Sequence, residues 1–206
     1  MIKPLSFMTA FTLLSSCSLI SYSQVLPFAK QAIIGADDIE LSENFIDQSE
    51  YSFAKIKFGK SAIGILPLAS IDEGKFLWVS GTNENIFTFN GKIIKTENML
   101  FSSHFIDGVT DFRLLDDKTS EYFLELRNPN ALLIQNAVIE VDKSEDLFIG
   151  GSIFRTQKYY ENVTTKSFKW NFKNIYWVDL TSGRVVKSIQ HIHPKNPPLE
   201  ITYVYK

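Results

Sequence analysis

Cys17 carries the clearest chemistry in this chain, because it is the only cysteine and follows Leu14-Ser15-Ser16 at the end of an apolar run. Small residues before a cut suit a signal peptidase, and a thiol at the new N-terminus is a nucleophile able to carry a thioether-linked diacylglycerol. Lys3 supplies a positive start, and Leu5 to Leu14 is an apolar stretch of about ten residues, too short for a bilayer core of roughly 30 Å. Residues 1–16 therefore read as a removable lipoprotein signal, with cleavage between Ser16 and Cys17 and lipid on Cys17. Ser18, in place of an inner-membrane-retaining aspartate, directs the expectation to the outer membrane, facing the periplasm.

Other reactive side chains are less organised. His191 and His193 would share one face of a strand, but no third ligand accompanies them, so they read as a solvated edge pair rather than a metal site. Asp37-Asp38, Asp72-Glu73 and Asp116-Asp117 are adjacent carboxylates in turn-like company, whereas a glycosidase needs two carboxyls facing each other across roughly 5–10 Å. No HExxH, GxSxG elbow, phosphate-cradling glycine loop or acidic calcium loop occurs, so no metal, cofactor or enzymatic activity is expected. Rings at Trp78, Tyr159, Tyr160, Trp170, Tyr176 and Trp177 suit a sugar or lipid site, but most belong in a β core; Tyr176 and Trp177 face opposite sides of their strand.

The elements that must position these groups are strands. With the signal removed, roughly 190 residues remain, the size of a single domain, here residues 25–206. Lys and Arg total 21 against 23 Asp and Glu with no basic tract, which argues against nucleic acid as a partner. Residues 17–24 form a short lipidated tether, and three acyl chains on Cys17 exceed the roughly two signals needed for stable anchoring. Val25, Phe28, Ala29, Ala32 and Ile33 predict a short helix over 27–34, followed by an irregular acidic segment over 37–51. Ser52 to Phe58 alternates, and Ala62 to Ile71 reads as buried on both faces or bent at Pro67. Asn90-Gly91 between alternating segments is the strongest hairpin signal. Residues 97–119 read only as a loop with a short helix or strand. Strands are then expected over 121–127, 131–142, 146–158, 165–172, 175–179, 184–193 and 199–205. Roughly ten antiparallel strands of this kind make an all-β meander that closes or half-closes on itself.

Two segments are more specific. Phe89-Asn90-Gly91-Lys92-Ile93-Ile94-Lys95-Thr96 and the stretch from Tyr176-Trp177-Val178-Asp179 through Gly183-Arg184-Val185 to Ser188-Ile189-Gln190 resemble two hairpins of the YjbF/GfcB family of capsule and exopolysaccharide lipoproteins. Lys92 stands where the family pattern has arginine, keeping the charge but losing the planar fork. The resemblance implies a large sheet folded on itself as a half-barrel. It also implies a non-enzymatic accessory of polysaccharide export, with the membrane, polysaccharide and export-channel proteins as partners. Trp177, Asp179 and Gly183 are the family-pattern residues, with no catalytic role to transfer. The turn after Asp179 calls for a positive φ at Gly183, with Asp179 as its cap. The competing reading is a periplasmic carrier whose half-barrel shelters an acyl chain or a lipoprotein. An empty apolar cavity would favour the carrier; a shallow groove of rings and hydrogen-bonding groups would favour glycan.

Overall fold

The computed structural model describes residues 40–60, 63–107, 111–114, 119–166 and 168–206. Cys17, the helix expected over 27–34 and the Asp37-Asp38 and Asp116-Asp117 pairs lie outside these residues. A short helix α1, Glu43–Gln48, occupies the segment expected to be irregular. Its start is local chemistry: Ser42 caps it by accepting a hydrogen bond from the Phe45 N–H at 3.2 Å.

Among the described residues, twelve antiparallel strands follow in simple meander order: β1 Phe53–Phe58, β2 Ile63–Asp72, β3 Lys75–Val79, β4 Asn85–Phe89, β5 Lys92–Glu97, β6 Ser103–Asp107, β7 Thr119–Leu126, β8 Ala131–Ile149, β9 Ser152–Thr165, β10 Phe172–Asp179, β11 Val185–Gln190 and β12 Leu199–Val204. The all-β antiparallel expectation holds, but the half-barrel is a complete one. β1 pairs with β12 from Phe53↔Val204 to Phe58↔Leu199, so the sheet closes and leaves no free edge there. That pairing joins residues about 150 positions apart, which local pattern cannot reveal.

Several elements differ from expectation. The 97–119 region, expected to carry a short helix or strand, holds both, β6 and a 3-10 turn, Phe112–Leu114. The 131–142 and 146–158 segments merge into the long β8–β9 hairpin, whose register slips at Val141/Ser144 and whose chain reverses at Gly150-Gly151. β9 therefore runs through to Thr165, and most of 165–172 is connection rather than strand. β2 is not buried on both faces: Pro67 is exposed, and the register shifts between Leu68 and Ser70, next to the proline that cannot donate to a ladder.

Inward residues of β6 and β7 pack in two smaller clusters, while residues of the other walls meet in one main core. Trp78, Ile86, Tyr176, Ile201 and Tyr203 are buried in it, and the 3-10 turn inserts fully buried Phe112, stacked on Tyr176 with ring centroids 4.3 Å apart. Twelve strands would enclose a lumen if side chains were small; here large rings fill it.

Candidate functional site

The two specific hairpins meet across the barrel. In β4–β5, Asn90 and Gly91 take φ of 48° and 78°, the two positive values a type I′ turn demands. Gly91 also lies against the opposite wall, where a Cβ would come within 2.4 Å of Val185. Its carbonyl accepts from Gln190 Nε2 at 2.8 Å and from the Tyr203 hydroxyl at 3.1 Å, while the Ile93 N–H donates to Gln190 Oε1 at 2.8 Å. Gln190 Nε2 also donates to Ser188 Oγ at 2.9 Å. Val185, Ser188 and Gln190 are thus the residues with which β11 holds the Asn90-Gly91 turn.

Beside that junction lies a buried ion pair. Lys92 Nζ sits 2.5 Å from Glu161 Oε1, with both side chains at 2% exposure or less. Glu161 Oε2 accepts from Asn174 Nδ2 and from the Tyr176 hydroxyl, each at 2.8 Å, and Lys92 Nζ stands 3.5 Å from the centre of the Tyr122 ring. Burial alone would raise the Glu161 pKa, but the Lys92 charge and the hydrogen bonds from Lys92, Asn174 and Tyr176 outweigh it and hold the carboxyl below its usual range. Burial pulls the Lys92 ammonium down, partly offset by Glu161, and pushes the Tyr176 hydroxyl well up, so Tyr176 stays a donor. Tyr122 and Gln135, paired across β7–β8 and fully buried, carry polar side-chain atoms with no hydrogen-bond partner among the described residues.

The family-pattern residues lie toward the outside of β10. Trp177 is 7% exposed and packs beneath the β8–β9 hairpin with Ile149 and Val186, donating its indole N–H to Glu145. Asp179 Oδ2 accepts from the Ser182 N–H at 2.8 Å and hydroxyl at 2.6 Å; these bonds outweigh the burial that would raise its pKa and hold it low. Gly183 takes φ 70°. Its carbonyl accepts from Arg113, whose guanidinium is held by Asp111, which also takes a hydrogen bond from Asn90 Nδ2 at 3.1 Å. This chain ties the two hairpin turns together at one end of the barrel.

The histidines do not form the solvated pair expected from spacing. β11 stops at Gln190; His193 is fully buried and stacked on Phe101, with ring centroids 5.0 Å apart, and His191 is half-buried. Burial lowers both pKa values. Asp72 and Glu73 sit at the β2–β3 turn, both exposed. Among the described residues no cluster of three His, Cys, Asp or Glu side chains could hold a metal ion.

An open groove of about 450 Å³ crosses β3–β6, lined by Lys75, Phe87, Phe89, Lys95, His104 and Phe105 among others. Cross-strand pairing places Phe87, Lys95 and His104 on the outer face, opposite the inward Ile86 and Thr96. Lys95 Nζ is 5.4 Å from the Phe87 ring centre and 2.6 Å from Glu97. Burial, then the Lys95 charge, lowers the His104 pKa, leaving a neutral imidazole near pH 7. β5 and β6 share only the Lys95↔His104 pair, so the wall parts here and Phe105 floors the groove, its far side against Tyr122.

Residues 28–204 match the family described as group 4 capsule polysaccharide lipoprotein GfcB, YjbF. The chain belongs to the YjbF family. A curated relative, the uncharacterized lipoprotein GfcB of Escherichia coli K12, is 22% identical over 98% of both chains. The crystal structure of the hypothetical lipoprotein YmcC from the same organism superposes with a TM-score of 0.72 at 20% identity, covering 90% of this chain and 97% of that one. The fold is thus shared over 90% of this chain, and the lipoprotein names of the relatives support a lipid-anchored, membrane-associated YjbF protein. Within the YjbF chain, the residues that sequence reasoning missed are Glu161 and Asn174. Their signal was period two: Tyr159, Glu161 and Val163 share one face of β9, so a carboxylate between two apolar residues had to be buried and paired.

Proposed function

We propose that this protein is a non-enzymatic accessory of capsule or exopolysaccharide export, held at the outer membrane through lipid on Cys17 and acting through its outer surface. The observation that carries the reading is the filled barrel. A carrier would need an apolar cavity for an acyl chain, whereas the centre here holds large rings and a buried ion pair. The family match over residues 28–204 supplies the polysaccharide context. The groove on β3–β6 has the rings and hydrogen-bonding groups that a glycan contact uses. The carboxylate at the centre, Glu161, is fully buried and engaged with Lys92, Asn174 and Tyr176, which leaves it no access to a substrate. The test is deletion of the gene with surface polysaccharide measured under inducing conditions. Loss of surface polysaccharide, with polymer retained inside the cell, is expected; unchanged export contradicts the reading.

A further inference from the structure

The β8–β9 hairpin has two unlike faces. On one, Leu147, Ile149 and Phe154 pack onto Trp177 and Val186 of the barrel wall. On the other, Phe148 and Ile153 stand directly opposite each other, 74% and 71% exposed. A solvent-facing hairpin face is expected to be polar, and a cross-strand apolar pair there is an association hazard unless something covers it. Charge next to the pair is balanced, because Asp146 and Arg155 are the preceding cross-strand partners on the same face. Leu180, 53% exposed, joins by its N–H to the Arg155 carbonyl at 2.9 Å.

The chain's N-terminal side runs past this tip. Glu40 and Leu41 line a groove with Phe148 and Ile149, and α1 packs over the turn so closely that a Cβ on Gly150 would meet Ile46 at 1.8 Å. A Cβ on Gly151 would meet Glu43 at 3.0 Å. The segment leading back to Cys17 therefore leaves the barrel beside the exposed pair. Residues 18–39 reach at most about 75 Å when extended. A tether of that order keeps the tip at an effective concentration on the order of millimolar relative to its own membrane, so a weak contact is populated.

We infer that the tip of the β8–β9 hairpin, through Phe148 and Ile153, is a membrane-contact surface that seats in the headgroup–acyl boundary of the bilayer holding the lipid anchor. The inference rests on the lipid-anchored reading. Apolar burial drives the contact, and the balanced Asp146 and Arg155 charges make it indifferent to anionic lipid. The contact also fixes orientation: it turns the Trp177 side of the barrel toward the bilayer.

The test uses the full lipidated chain in phosphatidylcholine vesicles, where acylated Cys17 leaves an introduced thiol as the only one to label. A polarity-sensitive probe is placed at Asp146→Cys, on the Phe148 face, and separately at Leu132→Cys, near the other end of β8. Nitroxide-bearing lipid is expected to quench the probe at 146 at least about threefold more than the probe at 132. Adding Phe148→Ser and Ile153→Ser should bring the two to the same level while the barrel's circular dichroism is unchanged. Equal quenching at both sites in the parent chain overturns the proposal and assigns the patch to a protein or glycan. A chain that fails to float with vesicles defeats the anchor reading itself, a separate result from a chain that floats with an aqueous probe at 146.

Discussion

The inside of the barrel and its outer shell use polar and aromatic residues for opposite purposes. Inside, Lys92 and Glu161 are charged but closed to solvent, and Asn174 and Tyr176 occupy the carboxylate oxygen that Lys92 does not. Outside, Phe148 and Ile153 are apolar yet open, and the β3–β6 groove sets Phe87 beside Lys95 and His104. Alternation along a single strand separates the two roles: Asn174, Tyr176 and Val178 of β10 point into the core, while Trp177 and Asp179 serve the outer layer and the turn. Charge in this protein marks structure where it is buried, and contact is made where apolar surface is left uncovered.

The largest effect expected from breaking that contrast comes from the ion pair. Glu161→Gln strands the Lys92 ammonium and Lys92→Met strands the carboxylate, so each should destabilise by about 3–5 kcal/mol in urea unfolding. The double variant removes both charges and keeps a Gln oxygen for Asn174 and Tyr176. It should recover at least half of that loss; a double variant as unstable as the sum of the singles would show that the pair does not interact as described.

Gly91→Ala comes next. It places a Cβ at φ 78° and 2.4 Å from Val185, and about 2–3 kcal/mol should be lost, whereas Gly81→Ala, with nothing near its Cβ, should be nearly silent. Acid is expected to act on the interior in two stages. Burial lowers the folded-state pKa of His191 and His193, so the stability tied to their neutral forms is complete above about pH 6.5 and falls as pH drops below it. Glu161 is also held low, so its contribution is complete above about pH 4.3 and disappears as pH falls through its folded value. Thermal melts from pH 7 to 3 should show both stages, and His193→Phe should flatten the first. The smallest stability effect belongs outside: Phe148→Ser with Ile153→Ser should change unfolding by within about 0.5 kcal/mol.

Local chemistry made the hairpins legible. Asn90-Gly91 and Thr181-Ser182-Gly183 announce their turns because positive φ is required at Asn90, Gly91 and Gly183. Closing or half-closing is expected of such a meander, but complete closure was not legible, since it depends on β1 finding β12. Lys92 stood out in sequence only as a departure from the family's arginine, because its partner Glu161 lies 69 residues away on another wall. The strand pattern puts His193 at a solvated edge with His191, yet β11 stops at Gln190 and the chain folds His193 onto Phe101. Alternation sets Tyr176 and Trp177 on opposite sides without saying which faces out, and the β8–β9 hairpin that covers Trp177 reads as two separate strands because of the bulge near Val141.

On the proposed function, the anchor and outer surface carry the role in export while the interior charges carry only the fold. The most direct test of that division is the surface polysaccharide made by a deletion strain complemented at equal protein levels with the parent, the Lys92→Met/Glu161→Gln pair or Cys17→Ser. Export should be restored by the parent and by the interior pair, and lost with Cys17→Ser. Full export from the Cys17→Ser chain, or none from a stably folded interior pair, would contradict it.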